Sequence, residues 1–400
     1  MKEGWEYKKL GECFISINNG ANIKQIKGAK GIPITRIETL SNDKFNRGRM
    51  GYADILDASP YSSYILNDGD ILMSHINSMK YLGRAVQYLK KEDETIIHGM
   101  NLLRLVPTKD VLSSFLIYQF FTAFFRNQIV SISHQSVNQA SFNTTNLKNL
   151  KLIVPPLSEQ QSIVDYLDSA FAKIDAMKAN AEKALNEAQA LFQASLKEML
   201  EPKEGWEEKK LEDIGELKNG MNFKKNESGY IIHILGVGDF GNLFQIDNTD
   251  CLQTISLNSN PSKDYILKNE DIVFVRSNGN KNLVGRCVLI HVGDEPCSFS
   301  GFCIRFRKST NEVDACYLTH LLKTEDSRKK LVGNGANISN LNQKVLNEFV
   351  VSYPSLQEQQ SIVATLDSLK SKVDRLQENY DKISQECDAL KQAILRQVFE

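Results

Sequence analysis

The chain repeats itself, and this repeat constrains its fold more than any other feature. GWEYKKL at residues 4–10 returns as GWEEKKL at 205–211, and LNDGDIL at 66–72 returns as LKNEDIV at 267–273. PPLSEQQSIVDYLDS, which starts at Pro155, returns as PSLQEQQSIVATLDS. The offset between copies stays between 199 and 202 residues. Agreement at a constant offset over the whole length indicates a duplicated unit.

Each copy has two parts with different patterns. The first part consists of short β-branched or aromatic runs broken by Gly, Asn and Asp, which predict strands and turns, with one helical patch. After Pro155-Pro156 in the first copy and Pro354 in the second, the second part has no proline or glycine until Pro202 or residue 400, as a long helix requires. The predicted segments are 1–154 (head 1), 155–202 (long helix 1), 203–353 (head 2) and 354–400 (long helix 2). Ser158 is predicted to cap helix 1.

The two long segments carry apolar residues at alternating spacings of four and three, which is typical of a coiled coil. In the second copy they are Ile362, Leu366, Leu369, Val373, Leu376, Tyr380, Ile383, Cys387, Leu390 and Ile394. In the first copy they are Ile163, Leu167, Ala170, Ile174, Met177, Ala181, Ala184, Ala188, Leu191 and Ser195. Several large residues of the second copy correspond to alanines at the equivalent positions of the first, which favours close packing of the two helices on each other.

Helix 1 ends where head 2 begins, and the termini of a domain usually lie close together, so helix 2 is expected to run back along helix 1. We therefore predict an α+β chain. Its two similar mixed α/β domains are separated by a long antiparallel two-helix coiled coil with pseudo-two-fold symmetry. Four hundred residues also exceed what one hydrophobic core usually organises.

Composition narrows the function class. There is no apolar run of the ~20 residues that a membrane span needs, and the N-terminus lacks a signal-peptide pattern. The 7 cysteines form no C-x-x-C pair, and the 6 histidines are widely scattered. These features predict a reduced, metal-free, cytoplasmic protein.

Charge is distributed unevenly along a chain whose net charge is −1. Residues 1–157 carry +6, residues 158–202 carry −4, residues 203–356 carry −1 and residues 357–400 carry −2. The acidic excess is greatest in the predicted helices, and the basic excess lies in head 1. This pattern favours head 1 over the helices as a contact for polyanions.

Motifs for catalysis are weak. GVGDFG at 236–241 fits G-x-G-x-x-G, but the polar, β-branched residues after it do not predict a helix, so a glycine-rich turn is favoured over a nucleotide site. Cys297 and Cys303, with His291 or His320, imitate a nucleophile pair but lie in a strand-like run. The sequence has no P-loop, H-E-x-x-H, G-x-S-x-G or amino-methyltransferase signature. No catalytic residue, metal ligand or cofactor site is predicted.

Two similar heads are suited to a target with two half-sites, as two-fold DNA readers show. The polar and basic residues of their Gly- and Asn-rich loops are the candidate DNA contacts. In head 1 these are Lys24, Lys27, Lys30, Arg36, Arg47, Arg49, Asn77, Lys80, Arg84, His134, Gln135 and Asn138. In head 2 they are Lys224, Lys225, Arg276, Asn278, Lys281, Arg286, Asn334 and Asn337.

Over its whole length the chain resembles the specificity subunits of type I restriction–modification systems. The resemblance rests on the duplicated GWE-x-KKL, the mid-domain LNDGDIL/LKNEDIV and, above all, EQQ-x-I-V-x-x-L-D before each long helix. It implies a non-catalytic subunit whose two target-recognition domains each read half of a bipartite double-stranded DNA sequence, across a spacing that the coil sets.

The resemblance also implies partners. Two methyltransferase subunits would use S-adenosylmethionine to methylate adenine and would recruit ATP- and magnesium-dependent restriction subunits; this chain itself would hold no cofactor. The docking residues implied for these partners are Glu159, Gln160, Gln161, Ile163, Leu167, Glu358, Gln359, Gln360, Ile362 and Leu366.

Two other functions stay open. One is a single-chain methyltransferase or restriction enzyme, which the missing catalytic motifs disfavour. The other is a coiled-coil adaptor that binds proteins instead of DNA. The target bases do not follow from the sequence, because base contacts depend on loop register and on DNA shape.

Overall fold

The chain folds into two compact units. The computed structural model describes residues 4–41, 43–137, 139–224, 227–332 and 340–399. Unit 1 comprises Met1–Glu182 and Tyr380–Glu400, and unit 2 comprises Lys183–Asn379. The predicted four-segment division of the chain stays a prediction.

Unit 1 combines short strands with short helices and the start of a long one. The strands are β1 (Glu6–Lys9), β2 (Phe14–Asn19), β3 (Leu40–Ser41), β4 (Lys44–Phe45), β5 (Ile71–Met73), β6 (Ile76–Asn77), β7 (Ala85–Gln87), β8 (Leu103–Pro107), β9 (His134–Gln135), β10 (Ala140–Ser141) and β11 (Lys151–Val154). The helices are α1 (Ser113–Phe120), α2 (Ala123–Ser131), α3 (Thr144–Lys148) and the start of α4 (Leu157–Leu200).

Unit 2 repeats this plan. Its strands are β12 (Glu207–Lys210), β13 (Gly215–Asn219), β14 (Tyr230–Leu235), β15 (Gln245–Ile246), β16 (Thr254–Leu257), β17 (Ile272–Val275), β18 (Cys287–Ile290), β19 (Cys297–Phe299), β20 (Cys303–Lys308) and β21 (Val350–Tyr353). Its helices are α5 (Leu211–Ile214), α6 (Ala315–Leu322), α7 (Glu325–Val332), α8 (Gln343–Asn347) and the start of α9 (Leu356–Phe399).

The sheets of the two units correspond. In unit 1 the strand order β2-β8-β5-β7 forms the main sheet, β1 pairs with β11, and β6-β10-β9 forms a small separate sheet. In unit 2 the matching orders are β13-β20-β17-β18, extended by β15, and β12 with β21. The prediction of two similar mixed α/β domains is confirmed.

The duplicated LNDGDIL and LKNEDIV segments make the same turn before the same strand. Asp70 accepts a hydrogen bond from the Asn67 amide at 2.7 Å, and Asp271 accepts one from the Lys268 amide at 2.7 Å. Each buried aspartate also pairs with an arginine of the neighbouring strand, at 2.7 Å from Arg104 and 2.6 Å from Arg307. A buried carboxylate needs such partners, which explains why this segment recurs.

The duplicated EQQ segments fasten each long helix to its head through the second glutamine. Gln160 is fully buried; its Oε1 accepts from the Leu112 amide at 2.9 Å, and its Nε2 donates to the carbonyls of Asp110 at 3.0 Å and Pro155 at 2.8 Å. Gln359 is also fully buried, and its side chain makes equivalent bonds to Asp314, Glu312 and Pro354. One side chain therefore satisfies three buried backbone groups in each unit.

The helix starts differ from the prediction. Helix α4 begins at Leu157, so Ser158 lies inside its first turn and the predicted cap is wrong; the Pro156 carbonyl instead accepts from the amides of Glu159 and Gln160. In the second copy, Ser355 precedes α9 and its hydroxyl accepts from the Glu358 amide at 3.4 Å.

In unit 1 the start of α4 and the end of α9 run antiparallel. Lys391 contacts Asp175 at 2.5 Å, and Lys178 contacts Asp388 at 3.7 Å. The buried Cys387 lies against the carbonyl of Ile174. The predicted antiparallel pairing is confirmed here.

Both helices also contribute to the cores of the heads. Leu395 and Phe399 of α9 join the core of unit 1, where the rings of Phe399 and Phe115 lie 5.5 Å apart. Leu200 of α4 joins the core of unit 2 together with Ile362. The ends of the long helices are therefore structural parts of the heads.

The predicted coiled-coil pattern of buried apolar residues holds only in part. Met177, Leu191 and Leu390 are exposed, whereas Leu185 and Leu395 are buried; Ala184 is exposed as well. A straight helix drifts about 20° per heptad relative to a strict seven-residue repeat, so the buried position moves along the sequence. Near the helix ends, the residues that contact the heads are the ones that are buried.

No helix in the described ranges is long and apolar enough to cross a membrane.

Replacing Gln160 by Leu should lower the free energy of unfolding of unit 1 by at least about 2 kcal/mol, because three buried backbone groups lose their partner. Denaturant unfolding followed by Trp5 fluorescence, in a Trp206→Phe background, measures this change. Gln161→Leu is the matched control, since Gln161 is exposed and bonds to Asp165 of its own helix; it should change stability by less than about 0.5 kcal/mol. Equal effects of the two substitutions would contradict the assigned role of Gln160.

Unit 1 should also lose stability as the pH falls. Burial lowers the pKa of His98 to about 4, and its Nε2 lies 2.9 Å from the Leu102 carbonyl. Because the folded pKa lies below the unfolded value of about 6.5, stability is complete above that pH and is lost as the pH falls towards 4, by about 3 kcal/mol.

Phe299 occupies the equivalent position in unit 2, so His98→Phe should flatten the dependence of unfolding free energy on pH between about 6.5 and 4. The exposed His134 provides the control, His134→Phe, which should leave that dependence unchanged. An unchanged slope in the His98 variant would refute the assignment.

Candidate nucleic-acid interface

A small sheet in head 1 gathers candidate residues from two distant parts of the sequence. Strand β10 pairs with β6 on one side and β9 on the other, with Ala140 opposite both Asn77 and Gln135, and Ser141 opposite His134. The hairpin between β9 and β10 is closed by a bond from the Ser136 amide to the Gln139 carbonyl at 2.7 Å. Asn77 and Gln135, 58 positions apart in the sequence, therefore lie on the same face of this small sheet, and His134 lies on its other face.

The loop after β6 adds positive charge next to this sheet. Arg84 lies over the ring of Tyr81 at 4.6 Å from its centroid, and Lys80 lies at 5.4 Å from the same centroid. Arg84 also contacts Asp43 at 3.2 Å, and Arg126 of α2 donates to the carbonyls of Leu82 and Met79. The loop is thereby held in one conformation, and the Lys80 ammonium stays exposed.

Arg47 has an internal role in addition to its predicted one. Its Nε donates to Glu94 at 2.8 Å, its Nη2 donates to the Leu89 carbonyl at 2.7 Å, and it lies over the ring of Tyr88. The bond from Arg47 holds the pKa of Glu94 at about 2, so the pair stays ionised. Glu94 already neutralises the charge of Arg47 within the head, and the DNA contact of Arg47 stays a prediction.

The remaining basic candidates of head 1 lie on exposed loops; they are Lys24, Lys27, Lys30, Arg36 and Arg49. Arg36 contacts Glu38 at 3.3 Å, an exposed pair that contributes little to stability.

Two of the candidate arginines in head 2 donate hydrogen bonds to loop carbonyls. Arg276 donates to the Gly301 carbonyl at 3.3 Å, and Arg286 donates to the Gly241 carbonyl at 2.8 Å; both arginines are half-buried. Asn278 is half-buried and Lys224 is exposed. Outside the described residues lie Asn138, Lys225, Asn334 and Asn337, as does the side chain of Lys281.

Each head has a cleft beside these loops. The cleft of head 1 measures about 280 Å³ and is lined in part by Gln25, Arg36 and Met100. The cleft of head 2 measures about 570 Å³ and is lined in part by Phe223 and Phe302. The two phenylalanines were missed in the sequence, because exposed aromatic residues at loop ends have the same local pattern as strand residues.

The predicted docking residues are divided between surface and interior. Gln160, Gln359, Leu167 and Leu366 are fully buried, and Ile362 is 8% exposed. Ile163 packs on the core of unit 1. These side chains hold helix and head together, a role different from the predicted docking. Glu159, Gln161, Glu358 and Gln360 are exposed, and Glu159 accepts a bond from Trp5 Nε1 at 2.8 Å.

The last residue of each EQQ-x-I-V-x-x-L-D segment ties the long helix to the head a second time. Asp168 accepts a hydrogen bond from the Tyr118 hydroxyl, whereas Asp367 lies 3.2 Å from His320 Nε2. Burial lowers the pKa of His320, and the nearby Asp367 opposes this shift. The two heads thus use different side chains for the same attachment.

The weak catalytic motifs have structural explanations. Residues 237–239 of GVGDFG form a single 3-10 turn. Cys297 and Cys303 lie in β19 and β20, and burial raises the pKa of both thiols to about 12, so they stay protonated. Among the described residues, no group of three or more His, Cys, Asp or Glu side chains could hold a metal ion.

Known proteins are similar to this chain in both sequence and fold. The family model for the type I restriction modification DNA specificity domain matches residues 2–187 and again 203–385. A Methanocaldococcus jannaschii protein assigned as the specificity subunit of type I restriction enzyme MjaX is 30% identical over 395 residues, with coverage of 92% of this chain and 87% of the relative. The EcoKI specificity subunit of Escherichia coli is 25% identical, with coverage of 92% and 82%.

Two solved structures have a fold similar to that of this chain. A chain from a study of complex assembly and conformational transition in the type I R-M system matches with a TM-score of 0.75 at 16% identity, covering 100% of this chain and 98% of its own. The HsdS subunit from Thermoanaerobacter tengcongensis matches with a TM-score of 0.58 at 17% identity, covering 99% and 97%. At this identity the likeness concerns the fold. The two matches of the family model, which together span most of the sequence, show that the chain belongs to the type I restriction–modification DNA specificity subunits.

Proposed function

We propose that each head reads one half of a bipartite double-stranded DNA sequence. The observation that carries this proposal is the duplicated framework with different loop residues at equivalent positions. In head 1 the pairing of β10 with β6 joins the hairpin to the loop that bears Lys80 and Arg84. In head 2 the β-bridge between Ser277 and Asn340 lies at the position that corresponds to the pairing of β10 with β6. One framework with two loop sets suits a target whose halves differ in sequence.

The long helices have two functions in this proposal: they set the distance between half-sites, and they dock two adenine methyltransferase subunits. Their acidic character and the exposed Glu159, Gln161, Glu358 and Gln360 support docking to proteins over contact with phosphates. S-adenosylmethionine would bind to the methyltransferase subunits, and ATP and magnesium to restriction subunits. This chain itself would contribute recognition and no catalysis.

The direct test is to map methylated adenines in DNA from cells that carry this chain with its methyltransferase partner. A bipartite motif with a constant gap is the expected result. Methylation by the purified chain alone with S-adenosylmethionine would favour a single-chain enzyme. Failure to enrich any sequence from random DNA with the partner present would favour a protein-binding adaptor.

Exchanging residues 1–154 for the first head of another specificity subunit should change one half of the methylated motif and leave the gap and the other half unchanged. The reason is that each head would contact its own half-site through its own loops. Methylome sequencing measures the outcome, and the matched exchange of residues 203–353 should change only the opposite half. A change in both halves from one exchange would rule out independent heads.

Binding of the assembled complex to its DNA should weaken steeply with salt, because phosphate contacts release counterions. Lys80→Gln should reduce the slope of log affinity against log salt by about 0.9, the contribution of one phosphate contact. Lys183→Gln, at an exposed lysine of helix α4, is the matched control and should leave the slope unchanged. Equal slopes for both variants would exclude Lys80 from the phosphate contacts.

A further inference from the structure

The two clefts occupy equivalent places in the two heads. Ala21 forms a parallel bridge with Gly99 in head 1, and Met221 forms one with Ser300 in head 2. Arg36 donates its amide to the side chain of Thr39 at 2.8 Å, and Gly236 donates its amide to the side chain of Asp239 at 2.7 Å. Arg36 and Gly236 are therefore counterparts at the start of the same turn.

This exchange of arginine for glycine removes one long side chain from the lining of the cleft in head 2. In head 1 the Arg36 side chain lines the cleft, whose volume is about 280 Å³. In head 2, where position 236 has no side chain, the cleft reaches about 570 Å³. The larger value falls within the range of about 300–1,000 Å³ that small-molecule pockets span.

Aromatic side chains line the cleft of head 2. Phe302 is 61% exposed and Phe223 is 38% exposed, although both contribute to one concave surface. The Phe302 carbonyl accepts from the amides of Arg276 at 2.8 Å and Ser277 at 3.2 Å, and its amide donates to Ser300 Oγ at 3.2 Å. The backbone that presents this exposed ring is thus fixed before any ligand arrives.

The lining also includes polar groups suited to a planar heterocycle. Gln253 and Asn278 bring side-chain amides to the cleft, and Asp239 brings a carboxylate. Amide side chains can donate to and accept from the same base edge, and aromatic faces stack on any base. Asn278 lies on the loop that includes the predicted DNA contacts of head 2, so the cleft opens at the proposed DNA-binding surface.

We infer that the cleft of head 2 binds a nucleobase, supplied by the target DNA as a base turned out of the helix in the half-site that head 2 reads. This inference rests on the proposed function. Phe302 and Phe223 would stack on the base, and the amides of Gln253 and Asn278 would contact its edge. The corresponding cleft of head 1, which Arg36 lines, is smaller, at about 280 Å³, and we assign no base to it.

The test measures equilibrium binding of the complex with its methyltransferase subunits to duplexes that carry a mismatch at each position of the head 2 half-site in turn. A base that must leave the helix costs a few kcal/mol to unpair, and a mismatch removes much of that cost. One position other than the methylated adenine should therefore bind about tenfold or more tightly when mismatched. Phe302→Ala should abolish this gain and weaken binding to matched DNA by about five- to hundredfold.

Two variants control for loss of structure. Gly236→Arg should also abolish the mismatch gain, by giving head 2 the arginine that lines the head 1 cleft. The substitution fits because the backbone at 236 is extended, as at Arg36, and the nearest atom to an added Cβ is Asp239 Oδ2 at 3.6 Å. Met100→Ala, in the cleft of head 1, should leave the gain unchanged.

Three results would overturn the inference alone. The first is the absence of any position whose mismatch gain depends on Phe302, even though exchange of head 2 alters the motif; the proposed function would then still stand. The second is a loss of affinity when deoxyuridine replaces thymine, without any mismatch gain, which would assign Phe302 to an ordinary methyl contact. The third is micromolar binding of free thymidine to the complex without DNA that Phe302→Ala abolishes, which would assign the cleft to a small ligand. Absence of any motif that depends on head 2 would overturn the proposed function together with this inference.

Discussion

The junction of head and helix depends on one buried glutamine side chain in each unit. A carboxamide has donor and acceptor on the same group, so Gln160 and Gln359 can each satisfy an amide and two carbonyls of the backbone where β-structure gives way to helix. A glutamate at this place would lack the donors, and an apolar residue would leave all three groups unsatisfied inside the protein. The direction in which the long helix leaves the head follows from this bond set.

Around that junction, the two halves preserve geometry while their chemistry varies. Asp70 and Asp271 make the same turn, yet their arginine partners come from strand positions that do not correspond, Arg104 in β8 and Arg307 in β20. Asp168 and Asp367 tie the helices to the heads through a phenol in one half and an imidazole in the other. A duplicated framework can therefore tolerate exchange of contacts at one site after another, and the loops at the proposed DNA surface differ most.

Sequence reasoning succeeded where a pattern has one physical meaning. The constant offset predicted two similar domains, and the two predicted helical segments contain the long helices Leu157–Leu200 and Leu356–Phe399. It failed where a local pattern has two meanings. Gln160 reads as an exposed polar residue on a helix, and only the three-dimensional junction shows that it is buried. Arg47 reads as a basic loop residue, and its neutralising partner Glu94 lies 47 positions away. The buried residues of the long helices differ in part from the predicted ones, because helix drift and contacts with the heads decide which residues are buried.

The packing of the end of α9 into the core of unit 1 affects the order in which the chain folds during synthesis. Leu395 and Phe399 pack with residues of head 1, such as Phe115, that precede them by more than 270 positions. On the ribosome, head 1 emerges first but cannot bury this part of its apolar surface until head 2 and most of α9 have been synthesised. Head 1 therefore spends the longest time incompletely packed, although domains made first usually finish folding first. A nascent chain interrupted after head 2 would leave that apolar surface open to chaperones and proteases.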